Sequence, residues 1–261
     1  MIYFIGDTPI LPGFKQCTID DVVKYCKNKV VLGVDTETEG LDFTCKKMIM
    51  FQIGDQINQY VIDTRVIDIE PLRDVLESRE IIKIFHNAKF DYKFIKKWNN
   101  ITCENVYDTM LVELIISCGK NLGYALKDLI KRYLDIELNK EVRNKFIGLN
   151  GKPFDISQIQ YGADDVKYLC IVRDKQIPTV YLHKLENVVE LENQTVLALA
   201  DIEYNGLELD IKQWKKLENM NTTKADKLHD ELDDIVLNTP VLKLLVSIYI
   251  QTDLFKPKDE I

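Results

Sequence analysis

Two carboxylates, Asp35 and Glu37, stand at the end of the apolar run VVLGV with one residue between them. Side chains at alternate positions of a strand point to the same face, so both carboxylates can reach one site. Carboxylate oxygens are the ligands that Mg²⁺ and Mn²⁺ prefer. The pair alone is weak evidence for a metal site, because acidic residues follow strands in most proteins.

A second polar pair, Asn87 and Asp91, follows the apolar run IIKIF within HNAKFD. The i, i+4 spacing places both side chains on one face of a helix. The same helix carries an apolar stripe that ends at Trp98 and a basic stripe that includes Lys89 and Lys93. A helix cap at Asn87 and a solvated lysine face are the alternative interpretation of these residues.

A phenol and a carboxylate, Tyr161 and Asp165, lie one helical turn apart in YGADD. Together they could hold a water between a metal ion and a reacting group, and Gly162 would leave room for a substrate. Asp164 competes with Asp165 for the ligand role on geometry alone. An ordinary surface helix with one aromatic side chain is the simpler interpretation of this segment.

In their order along the chain, VDTET, HNAKFD and YGADD resemble the three exonuclease motifs of the DEDD superfamily in its tyrosine-containing branch. That branch includes the proofreading domain of family A DNA polymerases and the ribonuclease D type exonucleases. The resemblance covers roughly residues 28–175. It implies a ribonuclease H-like fold and a 3′–5′ exonuclease that hydrolyses phosphodiester bonds with two Mg²⁺ or Mn²⁺ ions.

The resemblance also assigns roles to individual residues. The implied metal ligands are Asp35, Glu37, Asp91 and Asp165, and the spacing of the motif selects Asp165 over Asp164. Tyr161 would orient the attacking water or help to deprotonate it. The implied substrate-binding residues are Leu41, which would wedge against the terminal bases, Asn87, which would position the terminal nucleotide, and Lys89 and Lys93, which would meet phosphates.

Alternating strands and helices over residues 1–183 must position these residues. Strands are predicted at Ile2–Ile5, Val30–Asp35, Met48–Ile53, Gln59–Ile62 and Ile81–Phe85, and helices after Thr18, over 71–78 and over 88–98. This order predicts an α/β domain with a mixed sheet flanked by helices, followed by a smaller all-helical region.

The predicted second region, residues 184–261, begins with a helical period over Leu185–Glu203 and continues with a charged helix over 211–237 and another over 241–250. It resembles the start of the polymerase portion of family A enzymes, where an L-A-x-x-E-x-x-G-x-x-x-D pattern recurs. The sequence lacks the polymerase carboxylate motifs, so we expect no polymerase activity in this chain. A generic helical appendage, as in ribonuclease D relatives, is the alternative.

Composition limits the partners and the compartment. The 34 basic and 42 acidic residues give a net charge of −8, which argues against a protein that coats DNA through bulk charge. The cysteines form no C-x-x-C pair, and no apolar stretch approaches the ~20 residues of a membrane span. We therefore expect a cytoplasmic protein with reduced thiols and without membrane contact.

Three functions remain open on sequence. The leading prediction is a proofreading exonuclease that acts on a single-stranded or frayed 3′ end of DNA, with a polymerase domain or chain as its partner. An RNA-trimming exonuclease of the ribonuclease D type shares the same chemistry. A catalytically silent module that only binds nucleic acid or a polymerase is the third hypothesis.

Overall fold

A mixed six-stranded sheet forms the centre of the computed structural model, which describes residues 1–7, 12–120, 122–137, 142, 145–146, 148–149 and 151–244. The strands are β1 Ile2–Ile5, β2 Val31–Thr38, β3 Met48–Gly54, β4 Gln59–Asp63, β5 Ile82–Phe85 and β6 Val106–Asp108. Their order across the sheet is β1-β4-β3-β2-β5-β6. Strands β2, β3 and β4 pair antiparallel, whereas β5 joins β2 and β6 joins β5 in parallel.

Helices cover both faces of this sheet. They are α1 Ile19–Lys27, a 3₁₀ turn Glu70–Leu72 with α2 Arg73–Leu76, α3 Ala88–Asn99, α4 Thr109–Ile116, α5 Leu126–Leu134, α6 Ile156–Leu182, α7 Glu186–Asn205 and α8 Ile211–Asn238. The predicted α/β arrangement of a mixed sheet flanked by helices is confirmed. The predicted helix over 71–78 is shorter and begins as a 3₁₀ turn with Pro71 inside it.

The two faces of the sheet hold separate apolar clusters. Val34 and Phe51 pack with α1, α2 and α3, whereas Met50 and Ile84 belong to the clusters in which α6 takes part. Neighbouring strand residues alternate between these clusters, as the period of a strand requires. Strand β2 is therefore covered on both sides, and its successive side chains reach different helices.

The first compact unit of the chain extends from Met1 to Gly206, and a second unit comprises 207–261. The first unit therefore includes α7, which the sequence assigned to the second region, because α7 packs against α3 and buries Ala200 completely. In the second unit, Asp210 caps α8 through the backbone N–H groups of Lys212 and Gln213. The predicted helix over 241–250 lies partly outside the described residues.

None of the helices in the described part of the chain is both long enough and apolar enough to cross a bilayer.

Candidate active site

Three carboxylates meet where β2 ends against α6. Asp35 and Glu37 come from β2 and Asp165 from α6, and one oxygen of each lies within 4.8 Å of the others. Glu37 and Asp165 are buried, and Asp35 is half-buried. Asp164 is not part of this group, as far as the described residues show, although its spacing from Tyr161 is also helical. The fold therefore distinguishes the two neighbouring aspartates that sequence geometry left open.

Two glycines allow α6 to approach the sheet closely enough to form this group. A Cβ atom on Gly33, two residues before Asp35, would lie 2.6 Å from the carbonyl oxygen of Val166. A Cβ atom on Gly162 would lie 2.6 Å from Nε2 of Gln52, the residue opposite Asp35 in the sheet. The interpretation that Gly162 leaves room for a substrate is therefore wrong, because Gln52 fills that space.

Gln52 was not expected to contribute to the site. Its side chain is fully buried, and within the described part of the chain neither polar atom of its amide has a hydrogen-bond partner. A buried amide of this kind usually has a partner, which can be an ordered water. Only the strand register shows that Gln52 lies opposite Asp35, so the sequence alone could not place Gln52 at the site.

The fourth predicted ligand, Asp91, approaches from the other side of β2. Its carboxylate is buried in α3 and accepts a hydrogen bond of 2.6 Å from the hydroxyl of Thr36, the residue between Asp35 and Glu37. Burial, followed by the negative charge of Asp35, raises the pKa of Asp91 well above its ordinary value. Asp91 is not among the three mutually close carboxylates found in the described residues.

The donor set fits a divalent cation. Its atoms are carboxylate oxygens, the hard donors that Mg²⁺ and Mn²⁺ select. Several carboxylates crowded at one buried place repel each other, and a cation would relieve that repulsion. Burial is the larger cause of the raised pKa of Asp91, and the negative charge of Asp35 adds to it.

Tyr161 lies one turn before Asp165 on α6 and is half-buried. Its ring centroid is 6.2 Å from that of Phe146, in a tilted arrangement. The helix thus brings the phenol and the carboxylate to the same side, as the spacing predicted.

Asn87 occupies the N-cap position of α3, but its side chain makes no capping hydrogen bond. Its backbone is left-handed, with φ 66° and ψ 52°, and its side chain is exposed. The backbone N–H groups of Asn87 and Ala88 instead donate to the carboxylate of Asp108. Asp108 also caps its own helix, α4, through the backbone N–H groups of Met110 and Leu111.

The basic stripe of α3 is engaged by α7. Glu203 accepts hydrogen bonds from Lys89 and Lys93 at 2.5 and 2.6 Å, and Asp201 pairs with Lys96. These lysines therefore do not form a solvated face, and a phosphate that used Lys89 or Lys93 would have to displace Glu203.

The remaining predicted side chains lie at the surface. Leu41 is 79% exposed in the loop that follows β2. Trp98, expected in the buried stripe of α3, is 41% exposed, and its indole N–H donates to the carbonyl of Lys46. The indole of Trp98 therefore contacts the loop that carries Leu41.

The sequence profile of a 3′–5′ exonuclease family matches residues 14–178, which is more than half of the chain. The chain belongs to this 3′–5′ exonuclease family. The resemblance to DEDD exonucleases, with ribonuclease D type proteins as relatives, is thereby confirmed.

The relatives by sequence include proteins named ribonuclease D. The one from Sphingobium indicum is 26% identical over 149 residues, which cover 56% of this chain and 37% of that protein. The one from Desulfotalea psychrophila is 29% identical over 163 residues, 60% of this chain and 42% of that protein. Human exosome complex component 10 is 26% identical over 137 residues, 52% of this chain and 14% of that protein. The chain thus spans well under half the length of these relatives.

Solved structures share the fold. A nuclease in its apo form superposes with a TM-score of 0.66 at 22% identity, over 80% of this chain and 97% of that one. Brucella melitensis NrnC with bound Mg²⁺ superposes with a TM-score of 0.64 at 20% identity, over 80% of this chain and 97% of that one. Escherichia coli RNase D superposes with a TM-score of 0.65 at 17% identity, over 77% of this chain and 52% of that chain.

Proposed function

We propose that this chain is a metal-dependent exoribonuclease that releases nucleotides from the 3′ end of RNA. The observation that carries the proposal is the group formed by Asp35, Glu37 and Asp165 within a domain of the 3′–5′ exonuclease family. Ribonuclease D and exosome component relatives favour RNA as the substrate over the DNA proofreading that the sequence predicted first. No relative reported above supports a polymerase partner.

The carboxylates of Asp35, Glu37, Asp91 and Asp165 would hold the cations, Mg²⁺ or Mn²⁺. Bound cations would lower the pKa of water and stabilise the charge on the leaving oxygen. The chain itself supplies the shape of the centre: β2 presents two carboxylates on one face, and α6 adds a third from above that face.

Tyr161 would act on the attacking water. Its position one turn before Asp165 lets the phenol hydroxyl approach the region that this carboxylate faces. A neutral phenol is a poorer ligand for Mg²⁺ than a carboxylate, so its role would be to orient the water or accept its proton.

Asn87 and Leu41 would hold the terminal nucleotide. Both side chains are exposed, and each follows a strand that ends at the site, β5 for Asn87 and β2 for Leu41. An amide can hydrogen-bond a sugar or base edge, and an apolar side chain can pack on a base without regard to its identity. Lys89 and Lys93 would contribute only where a phosphate replaced Glu203.

Digestion of matched oligonucleotides tests this proposal. RNA and DNA of the same sequence, labelled at the 5′ end, are incubated with the chain in Mn²⁺ or Mg²⁺, with the metal chelated in a parallel reaction. We expect the RNA to shorten in single-nucleotide steps from its 3′ end, only with metal, and faster than the DNA. Faster digestion of DNA would restore the proofreading hypothesis, and metal-independent binding without cleavage would identify a binding module.

A further inference from the structure

Asp108, the last residue of β6, joins the starts of two helices. Its buried carboxylate accepts hydrogen bonds through Oδ1 from the backbone N–H groups of Asn87, Met110 and Leu111, at 3.0, 2.9 and 3.3 Å. Through Oδ2 it accepts a hydrogen bond of 2.8 Å from the N–H of Ala88. One side chain thus caps α3 and α4 together.

Helix α3 depends on this contact at its start. The first N–H groups of a helix have no acceptor within the helix and need another partner. Asn87, at the N-cap position, does not provide a side-chain cap. Asp108 provides the acceptor from 20 residues further along the chain, so it fixes where α3 begins.

The carboxylate is itself held in place. The backbone N–H of Asp108 donates to Oδ1 of Asn193 on α7, at 2.8 Å, and both residues are buried. A rigid acceptor can position a helix start only if its own backbone cannot shift, and Asn193 supplies that restraint. Helix α7 is thereby linked to the start of α3.

We infer that Asp108 is a positioning residue of the nuclease centre. It keeps Asn87 in the left-handed conformation with its amide exposed, and it sets the turn of α3 from which Asp91 reaches Thr36 beside Asp35. The assignment to a nucleotide-binding Asn87 rests on the proposed function. The assignment to Asp91 rests on its hydrogen bond from Thr36, between Asp35 and Glu37, and on its proposed role as a metal ligand.

Asp108→Asn is a selective test because it replaces only one oxygen. If the remaining oxygen keeps its three hydrogen bonds, α4 retains its cap, and the new NH₂ group faces the N–H of Ala88. Two donors cannot bond each other, so the variant disturbs α3 and spares α4. Val22→Ala is the matched control, since it removes buried apolar volume from α1 and leaves the hydrogen bonds of Asp108 in place.

The first readout is the single-turnover rate on an oligonucleotide, measured for each protein at the same temperature interval below its Tm. We expect the rate of Asp108→Asn to fall about tenfold or more, the usual effect of removing a residue that supports a metal centre. The rate of Val22→Ala should stay within about twofold of the wild-type rate. Asn87→Ala should cost much less in the Asp108→Asn background than in wild type. Equal losses in Asp108→Asn and Val22→Ala, or fully additive effects of the two substitutions, would overturn the inference.

The second readout does not need nucleic acid. Mn²⁺ affinity should fall about tenfold or more in Asp108→Asn and stay unchanged in Val22→Ala, because only the first moves Asp91. If wild type cleaves neither RNA nor DNA, the proposed function fails, and Mn²⁺ affinity alone decides the role of Asp108. Should Asp108→Asn not fold, Asn193→Ala provides the same comparison, and unchanged Mn²⁺ affinity and rate would then refute the inference.

Discussion

Asp35 is the residue at which the parts of the site meet. It shares a strand face with Glu37, lies within 4.8 Å of Asp165, and its charge helps to raise the pKa of Asp91. We expect a carboxylate in this position to destabilise the metal-free fold and, as a proposed ligand, to be needed in the metal-loaded site. Its substitution should therefore separate stability from activity.

Asp35→Ala should lower the rate by about 10²-fold or more, since a cation ligand contributes several kcal/mol of charge stabilisation. The metal-free variant should melt at or above the wild-type temperature, because one repelling carboxylate is gone. Calorimetry without metal and an oligonucleotide assay with Mn²⁺ measure the two effects. A variant that keeps more than about a tenth of the rate would show that Asp35 is not an essential ligand.

Tyr161→Phe deletes one hydroxyl and keeps the ring that packs near Phe146. If the hydroxyl orients water or takes its proton, the chemical step should slow by about 10²–10⁴-fold. Mn²⁺ affinity and Tm should stay at the wild-type values. A wild-type single-turnover rate between pH 6 and 9 would reduce Tyr161 to a packing residue.

Lys83 gives a prediction on pH and stability away from the metal centre. Its side chain is fully buried in β5, its ammonium donates to the carbonyl of Ser78, and burial lowers its pKa from 10.5 to about 8. The unfolded chain holds this proton to higher pH than the folded chain. Folding is therefore favoured increasingly as the pH rises from about 8 towards 10.5.

Lys83→Met removes this dependence while keeping a long side chain. The variant should be more stable than wild type at pH 7, and its advantage should shrink between pH 8 and 10. Urea unfolding of both proteins at several pH values measures the difference in the free energy of unfolding. A difference that does not change with pH would mean that Lys83 keeps its ordinary pKa in the folded state.

Among the elements, β2 and α6 matter most, because their separation decides whether the carboxylates meet. Gly33 and Gly162 allow β2 and α6 to pack this closely, but a side chain would meet a different obstacle at each of the two positions. A methyl group on Gly33 meets a backbone carbonyl, whereas one on Gly162 meets the end of the flexible Gln52 side chain.

Gly33→Ala should therefore displace α6 and lower the rate by about 10²-fold, the cost of a misplacement of about 1 Å. Gly162→Ala should cost less, because Gln52 can rotate. Rates and Tm values of both variants, compared with those of Asp35→Ala, test whether Gly33→Ala loses more activity than Gly162→Ala. A larger loss for Gly162→Ala would show that Gln52 itself contributes to the site.

Helix α7 gives a structural reason for most of the sequence pattern that resembles the start of a polymerase domain. Within L-A-x-x-E-x-x-G-x-x-x-D, Ala200 is completely buried, Glu203 holds Lys89 and Lys93, and Gly206 follows the last turn with φ 67°. In this chain the pattern therefore fastens α7 to α3. Four of the five pattern residues, from Leu199 to Gly206, therefore lie in the first compact unit, and Asp210 lies in the second.

Over the whole chain, the compact unit that holds the site ends at Gly206. A chain of residues 1–206 should keep the activity and cooperative unfolding of the full chain. A chain of residues 1–183 should melt at lower temperature and bind Mn²⁺ more weakly, because it lacks Asn193 and uncovers the surface that Ala200 buries. Equal stability and Mn²⁺ affinity of the two truncated chains would show that α7 is a dispensable appendage.

The sequence by itself determined the local features of this protein. The order of the first five strands and of the helices between them follows from the apolar periods and from caps such as Thr18 with Asp21, and both operate over a few residues. The short strand β6 was not predicted. The motif residues were likewise readable, since two carboxylates on one strand face, or a phenol and a carboxylate one turn apart, are fixed by backbone geometry.

Tertiary structure alone decided which of these local features work together. It brought Asp165 close to Asp35 and Glu37 and filled the space beside Gly162 with Gln52. It also paired Lys89 with Glu203 and made Asp108 the cap of α3. Each outcome joins residues far apart in the chain, and their separation depends on sheet register and on how closely helices pack. Neither quantity leaves a periodic signal in the sequence.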